Sequence, residues 1–114
     1  MDSILFTIKK MLGVDIEFDG FDIDIITAIN SAFMNLNQLN IGPEAGYSIT
    51  NSEQNWVDFL TTFTNLEGVK TYIYLKTRLI FDPPTNSFLV ESFNNQIKEL
   101  EWRLCVQADP DPIV

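Results

Sequence analysis

Histidine is absent from this 114-residue chain, and cysteine occurs once, at Cys105. Without histidine, one subunit can hold no Ser-His-Asp or Cys-His nucleophile and no His-containing zinc site. A lone cysteine closes no disulfide within a subunit, so Cys105 reads as a free thiol in a reducing cytoplasm, an inert small apolar side chain with nothing to activate it. Basic residues are scarce as well: 7 Lys and Arg stand against 16 Asp and Glu, for a net charge of −9. Tight binding to phosphates draws on Lys and Arg, so the charge balance argues against a nucleic-acid gripper. No apolar run approaches the roughly 18 to 20 residues of a membrane span, so no membrane partner is expected. No basic segment followed by an apolar stretch opens the chain, and no glycosylation acceptor occurs. With no metal-ligand cluster and no phosphate-cradling glycine loop either, an enzyme is disfavoured and no cofactor is expected.

What the chain does contain is helical pattern. Hydrophobic residues make up 46 % against 20 % charged, the balance of a folded domain. A first helix is expected over Ile4–Leu12, capped by Asp2 or Ser3, closed by Gly13, with Lys9 and Lys10 at the negative end of its dipole. A second runs over Ile23–Asn40 behind Asp22 as N-cap, with Ile25, Ile26, Ile29, Ala32, Phe33, Leu36 and Leu39 on one face. A loop follows, with a short extended piece at Tyr47–Ile49. Thr50-Asn51-Ser52-Glu53 reads as a capping box opening a third helix through Trp56 and Leu60. The fourth spans Leu66–Phe81 and stops before Pro83-Pro84. The fifth spans Phe88–Val106 with Leu89, Val90, Phe93, Ile97, Leu100 and Leu104 inward. The expected fold is all-α, a compact bundle of four to five helices over 1–106, followed by an extended, proline-rich acidic tail over 107–114, which Pro110 and Pro112 keep from continuing the helix.

Four features carry chemistry. The run from Asp15 to Ile26 places oxygens at alternate residues before Gly20, as a calcium loop begins, but the position that must supply a bidentate Glu is Ile26 and the ninth is Ile23. The run therefore reads as an acidic loop, and Asp15, Glu17, Asp19, Asp22 and Asp24 are either a solvated face or an acidic lumen or partner patch. Lys76 falls inside the apolar stripe of the fourth helix (Val69, Tyr72, Ile73, Leu79, Ile80). It either forms a buried ion pair with Glu101 or snorkels to water. Apolar residues lie off the main stripes: Ile23 and Met34, Tyr74 and Phe81, Phe88 and Trp102. Such second strips mean burial on two sides or a subunit interface, and interface is the favoured reading. Finally, the tail is either disordered or an arm laid on a neighbour, anchored by Ile113 and Val114.

The segments Ser3–Gly13, Phe21–Ser31 with Ile41–Pro43, Val69–Pro84 and Gln96–Leu104 resemble the head–tail connector (adaptor) proteins of tailed phages and prophages of Gram-positive hosts. The Asp82-Pro83-Pro84 junction and the Glu101-Trp102-Arg103 ending are the specific parts. The resemblance implies an α-helical homo-oligomer, a dodecameric ring under the portal protein. Such a ring continues the DNA channel, lets DNA pass without specific binding, and docks a tail or stopper protein. It implies a virion neck location after assembly in the host cytoplasm, and it carries over no catalytic or cofactor residue. The rival reading is a small acidic DNA mimic or inhibitor of a host DNA-binding protein. Its acids should spread over one face at phosphate-like spacing, whereas five of the acids here crowd into residues 15–24.

Overall fold

The computed structural model describes residues 3–43, 45–59 and 66–108. It is all-α, in the order α1 (Ile4–Leu12), α2 (Asp22–Gln38), α3 (Trp56–Phe59), α4 (Leu66–Phe81) and α5 (Ser87–Ala108). An isolated antiparallel bridge joins Ser3 to Asn55.

α1 and α4 have the expected bounds. The Ser3 hydroxyl accepts the Phe6 N–H at 3.3 Å, and Gly13 closes α1 in the left-handed region at φ 81°. α2 starts and stops earlier than its pattern suggests. Phe21 is its N-cap and, with no polar side-chain atom, makes no side-chain cap bond, while the carboxylate of Asp22, the expected cap, is taken by Lys9. At the other end Asn40 adopts φ 64°, its N–H bonding Asn37 O at 2.9 Å while Ile41 N–H bonds Leu36 O at 2.9 Å. That pair of bonds is a Schellman motif with asparagine in the glycine position, so the helix ends before Gly42-Pro43 is reached. α5 is longer than expected at both ends, beginning at Ser87 and running to Ala108.

The segment between α2 and α4 departs most from expectation. Tyr47–Ile49 pairs with no strand. Instead the Asn30 side chain bonds the Ile49 backbone twice, donating to its carbonyl at 2.9 Å and accepting its N–H at 2.7 Å. The capping box is not at Thr50–Glu53. Gln54 Oε1 accepts the N–H groups of Thr50 and Asn51, and the box shifts to Asn55, whose N–H donates to Asp58 Oδ2 at 3.1 Å. Trp56 pins this segment to α1 by donating its indole N–H to Thr7 Oγ1 at 3.1 Å. Phe33, Tyr47 and Phe59 close an aromatic triangle with centroids 4.7 to 5.4 Å apart. Gly42, at φ 92°, leaves the space a side chain would need to the Phe59 ring.

α4 is the middle helix. It packs against α2 on one side and α5 on another, with α1 touching it as well, while α2 and α5 barely meet. Its buried residues, Val69, Tyr72, Ile73, Leu75 and Thr77, spread over more of its circumference than one stripe. This is what a helix covered on two sides requires. The expected stripe residues Leu79 and Ile80 are correspondingly half-buried and exposed.

Candidate functional site

The acidic loop is built around a buried cation. Lys9 is fully buried in α1, and its ammonium is held by three acceptors: Asp22 Oδ1 at 2.8 Å, Phe18 O at 2.6 Å and Ile16 O at 3.1 Å. Three oxygens match the three protons of an ammonium, so the desolvated charge is fully partnered. The bonds tie α1 to the loop and to the first turn of α2. Asp22 is thereby turned inward and leaves the expected acidic patch. Asp15, Glu17, Asp19 and Asp24 stay exposed, with no cationic partner among the described residues. Among those residues no group of three acids or cysteines could hold a metal ion. Ile16, Phe18 and Phe21 alternate with the acids and are also exposed, and Phe21 lies edge-on to Phe81 at 5.2 Å.

The expected Lys76–Glu101 ion pair is not formed. The Tyr72 hydroxyl takes Glu101 instead, donating to its Oε2 at 2.8 Å. Burial, and then the bond to that carboxylate and its charge, push the Tyr72 phenol far above its usual range. Lys76 is half-buried with its ammonium 5.9 Å from the Tyr72 ring centre, which is the snorkelling alternative with a cation–π contact added. The buried ammonium of this fold is Lys9. Its signal was in the sequence: it follows Leu5 by four residues on an apolar helix, next to five acids without a base.

Four of the six off-stripe apolar residues are on the surface. Ile23 is 80 % exposed and Met34 62 % on the outer face of α2, and Phe88 is 79 % and Trp102 67 % exposed on α5. Tyr74 and Phe81 are not. Both pack against the core, because α4 is covered on two sides, and the Tyr74 hydroxyl accepts a bond from Arg78 at 3.2 Å. α5 adds Leu89 and Val106 to the exposed apolar surface, Leu89 having been expected inward. Within α5, Phe88, Asn95 and Trp102 repeat every seven residues on one face, opposite the buried Ile97 and Leu104. Lys98 stands one turn from Trp102 with no ionic partner among the described residues, whereas Arg103 is held by Glu99 at 2.7 Å. Ile113 and Val114 lie outside the described residues. No described helix is long and apolar enough to cross a membrane.

The described surface thus carries exposed apolar residues on α2 and on α5, and exposed carboxylates in the loop that leads into α2. Neither a curated protein nor a solved structure matches the chain. The model of one protein family, described as phage connector protein, matches residues 4–111.

Proposed function

The chain belongs to the phage connector protein family, and from that premise we propose that its copies assemble as a ring beneath the portal and continue the DNA channel toward the tail. Membership makes it a head–tail connector of the virion neck, in a family whose role is structural, not enzymatic. The match across residues 4–111 is the observation that carries this reading.

Ring assembly is supported by exposed apolar residues on two different helices, α2 and α5, since a head-to-tail contact uses two different patches on each copy. A channel wall that must not hold DNA is served by unpaired carboxylates, and Asp15, Glu17, Asp19 and Asp24 are the residues proposed for it. The proposed ring is dodecameric, forms in the host cytoplasm, takes the portal protein on one face and a tail or stopper protein on the other. The segment 109–114 is assigned to contact with a neighbour through Ile113 and Val114.

Mass photometry of the purified protein, with and without portal assemblies, tests the reading. A large ring, or a ring formed only on the portal, is expected. A subunit that stays monomeric or dimeric, ignores portals and displaces DNA from a host protein overturns it in favour of the acidic mimic.

A further inference from the structure

The run that opens at Asp15 in the manner of a calcium loop does fold around a cation, and the cation is Lys9. In a calcium loop the side chains at alternate positions turn inward to the ion. Here the alternation is reversed. Asp15, Glu17 and Asp19 are exposed, and the carbonyl oxygens of the residues between them, Ile16 and Phe18, meet the Lys9 ammonium at 3.1 and 2.6 Å. Asp22 Oδ1 completes the set at 2.8 Å. Among the described residues, every hydrogen bond of residues 14–18 either stays within the segment or ends on Lys9. The Glu17 N–H donates to Asp15 Oδ1 at 2.9 Å and the Phe18 N–H to Asp15 O at 3.1 Å, while the Val14 N–H donates to Lys9 O at 2.9 Å. Lys9 is buried along with Ile4, Leu5 and Ile8 of α1, so its ammonium reaches the loop from inside the subunit.

We propose that these three oxygens form a socket for one primary ammonium, and that Lys9, by filling it, sets the outward row Asp15, Glu17 and Asp19 before any metal ion or partner is met. The assignment concerns the subunit alone and stands whether or not copies form a ring. The geometry defines the ligand class. Contacts of 2.6 to 3.1 Å are hydrogen-bond lengths, and their number matches the protons of an ammonium. A guanidinium is planar and spreads its donors in a fork, so it cannot bring three of them onto converging oxygens. A calcium ion takes roughly six to eight oxygens, several of them from carboxylates. The socket offers two carbonyls and one carboxylate, and one carboxylate against one ammonium leaves the interior neutral. The row of acids is therefore a preformed surface, held by a cation that the chain itself carries.

The test uses the full chain. Lys9→Ala removes the side chain beyond Cβ, and n-propylammonium reproduces the missing part. Titrated to about 200 mM, n-propylammonium should raise the folding equilibrium constant of Lys9→Ala about tenfold, as a dissociation constant of ~20 mM gives, and should restore amide protection at residues 14–22. Tetramethylammonium, which has the same charge and no N–H, should do neither at the same concentration. The starting protein, its socket filled, should not respond to n-propylammonium, and Lys9→Arg should not restore the protection. A second measurement needs no destabilised chain. Acylation of lysine amines, read by mass spectrometry, should be far slower at buried Lys9 than at exposed Lys10. Asp22→Asn should raise the Lys9 rate about tenfold and leave Lys10 unchanged. Calcium at about 1 mM, the range of weak calcium modules, should leave protection at residues 14–22 of the starting protein unchanged. A Lys9→Ala chain that gains no more from n-propylammonium than from tetramethylammonium, protection restored by Lys9→Arg, Lys9 acylated as fast as Lys10, or protection that rises with calcium overturns the socket and leaves the ring reading untouched.

Discussion

α2 and α5 flank the same helix and bury very different shares of themselves. α2 sinks six of its 17 residues into the core, among them Phe33, Ile29 and Leu36. α5 has 22 residues, and among its described side chains only Ile97 and Leu104 are buried. Its first ten residues contain no buried side chain at all. α2 is therefore held by tertiary packing, as most protein helices are. α5 rests on one neighbour, α4, helped by local bonds such as Arg103–Glu99 and Gln96–Ser92. The lesson is that the subunit's stability and its contact surface are separated in space. The α1–α2–α4 block keeps the fold, and the outer face of α5 is left for something else to cover.

The largest test of that separation is Phe33→Ala. It should cost about 3 to 5 kcal/mol, because the ring fills the junction of α2, Tyr47 and Phe59 and nothing adjacent can collapse into the void. Denaturant unfolding measures it, and a loss under about 1 kcal/mol would mean that the block does not hold the fold. Next is Lys9→Met, expected to cost about 2 to 3 kcal/mol by leaving the Ile16 and Phe18 carbonyls and Asp22 without their donor. The figure is below that for a fully buried pair because Asp22 is partly solvated. Hydrogen exchange should show residues 14–22 opening with the start of α2 in this variant.

Tyr72→Phe probes the seam between the two regions. It removes one bond to a carboxylate and should cost about 1.5 kcal/mol at neutral pH. The phenol's ordinary value is 10.0 and folding raises it, so above about pH 10 the unfolded chain gives up this proton before the folded one does. The contribution is complete below that pH and is lost as pH rises. Urea melts at pH 8 and pH 11 should show the starting protein losing more stability than Tyr72→Phe over the interval. Equal losses would mean that Tyr72 is not held by Glu101.

Much of this was written in local pattern. Ser3, Gly13 and the Asp82-Pro83-Pro84 stop set the ends of α1 and α4, and heptad-like spacing gave α2 and α5. Ile23, Met34, Phe88 and Trp102 were legible as surface strips because each lies opposite a strong apolar stripe on its own helix. Tyr74 and Phe81 follow the same rule of thumb and break it, since a helical wheel does not say how many neighbours a helix will have. Lys76 looked buried for the same reason. The Lys9 triad was illegible in its geometry, because two of its three acceptors are backbone carbonyls that any residue could supply. The expected capping box failed on competition: Gln54 Oε1 takes the Thr50 N–H that Glu53 would have accepted, and Asn51 Oδ1 takes the Glu53 N–H meant for the Thr50 hydroxyl.

The smallest expected effect on the subunit sharpens the comparison most. Phe88→Ala and Trp102→Ala remove two of the largest side chains in α5, yet neither touches the core cluster. A ring already in water loses little by being deleted, so each change should leave unfolding free energy within about 0.5 kcal/mol of the starting protein. The fold therefore gives no reason for two large aromatics to stand on that face. If a neighbouring copy covers them, the same substitutions should act on assembly, where desolvated aromatics near the centre of a contact carry a disproportionate share of the binding energy, about 2 kcal/mol or more each. Unchanged melting with weakened assembly is the expected pair of results, read on one protein preparation by denaturant unfolding and light scattering. Destabilised subunits would instead place the two rings within the fold's own packing, and the division between a block that folds and a helix that binds would be lost.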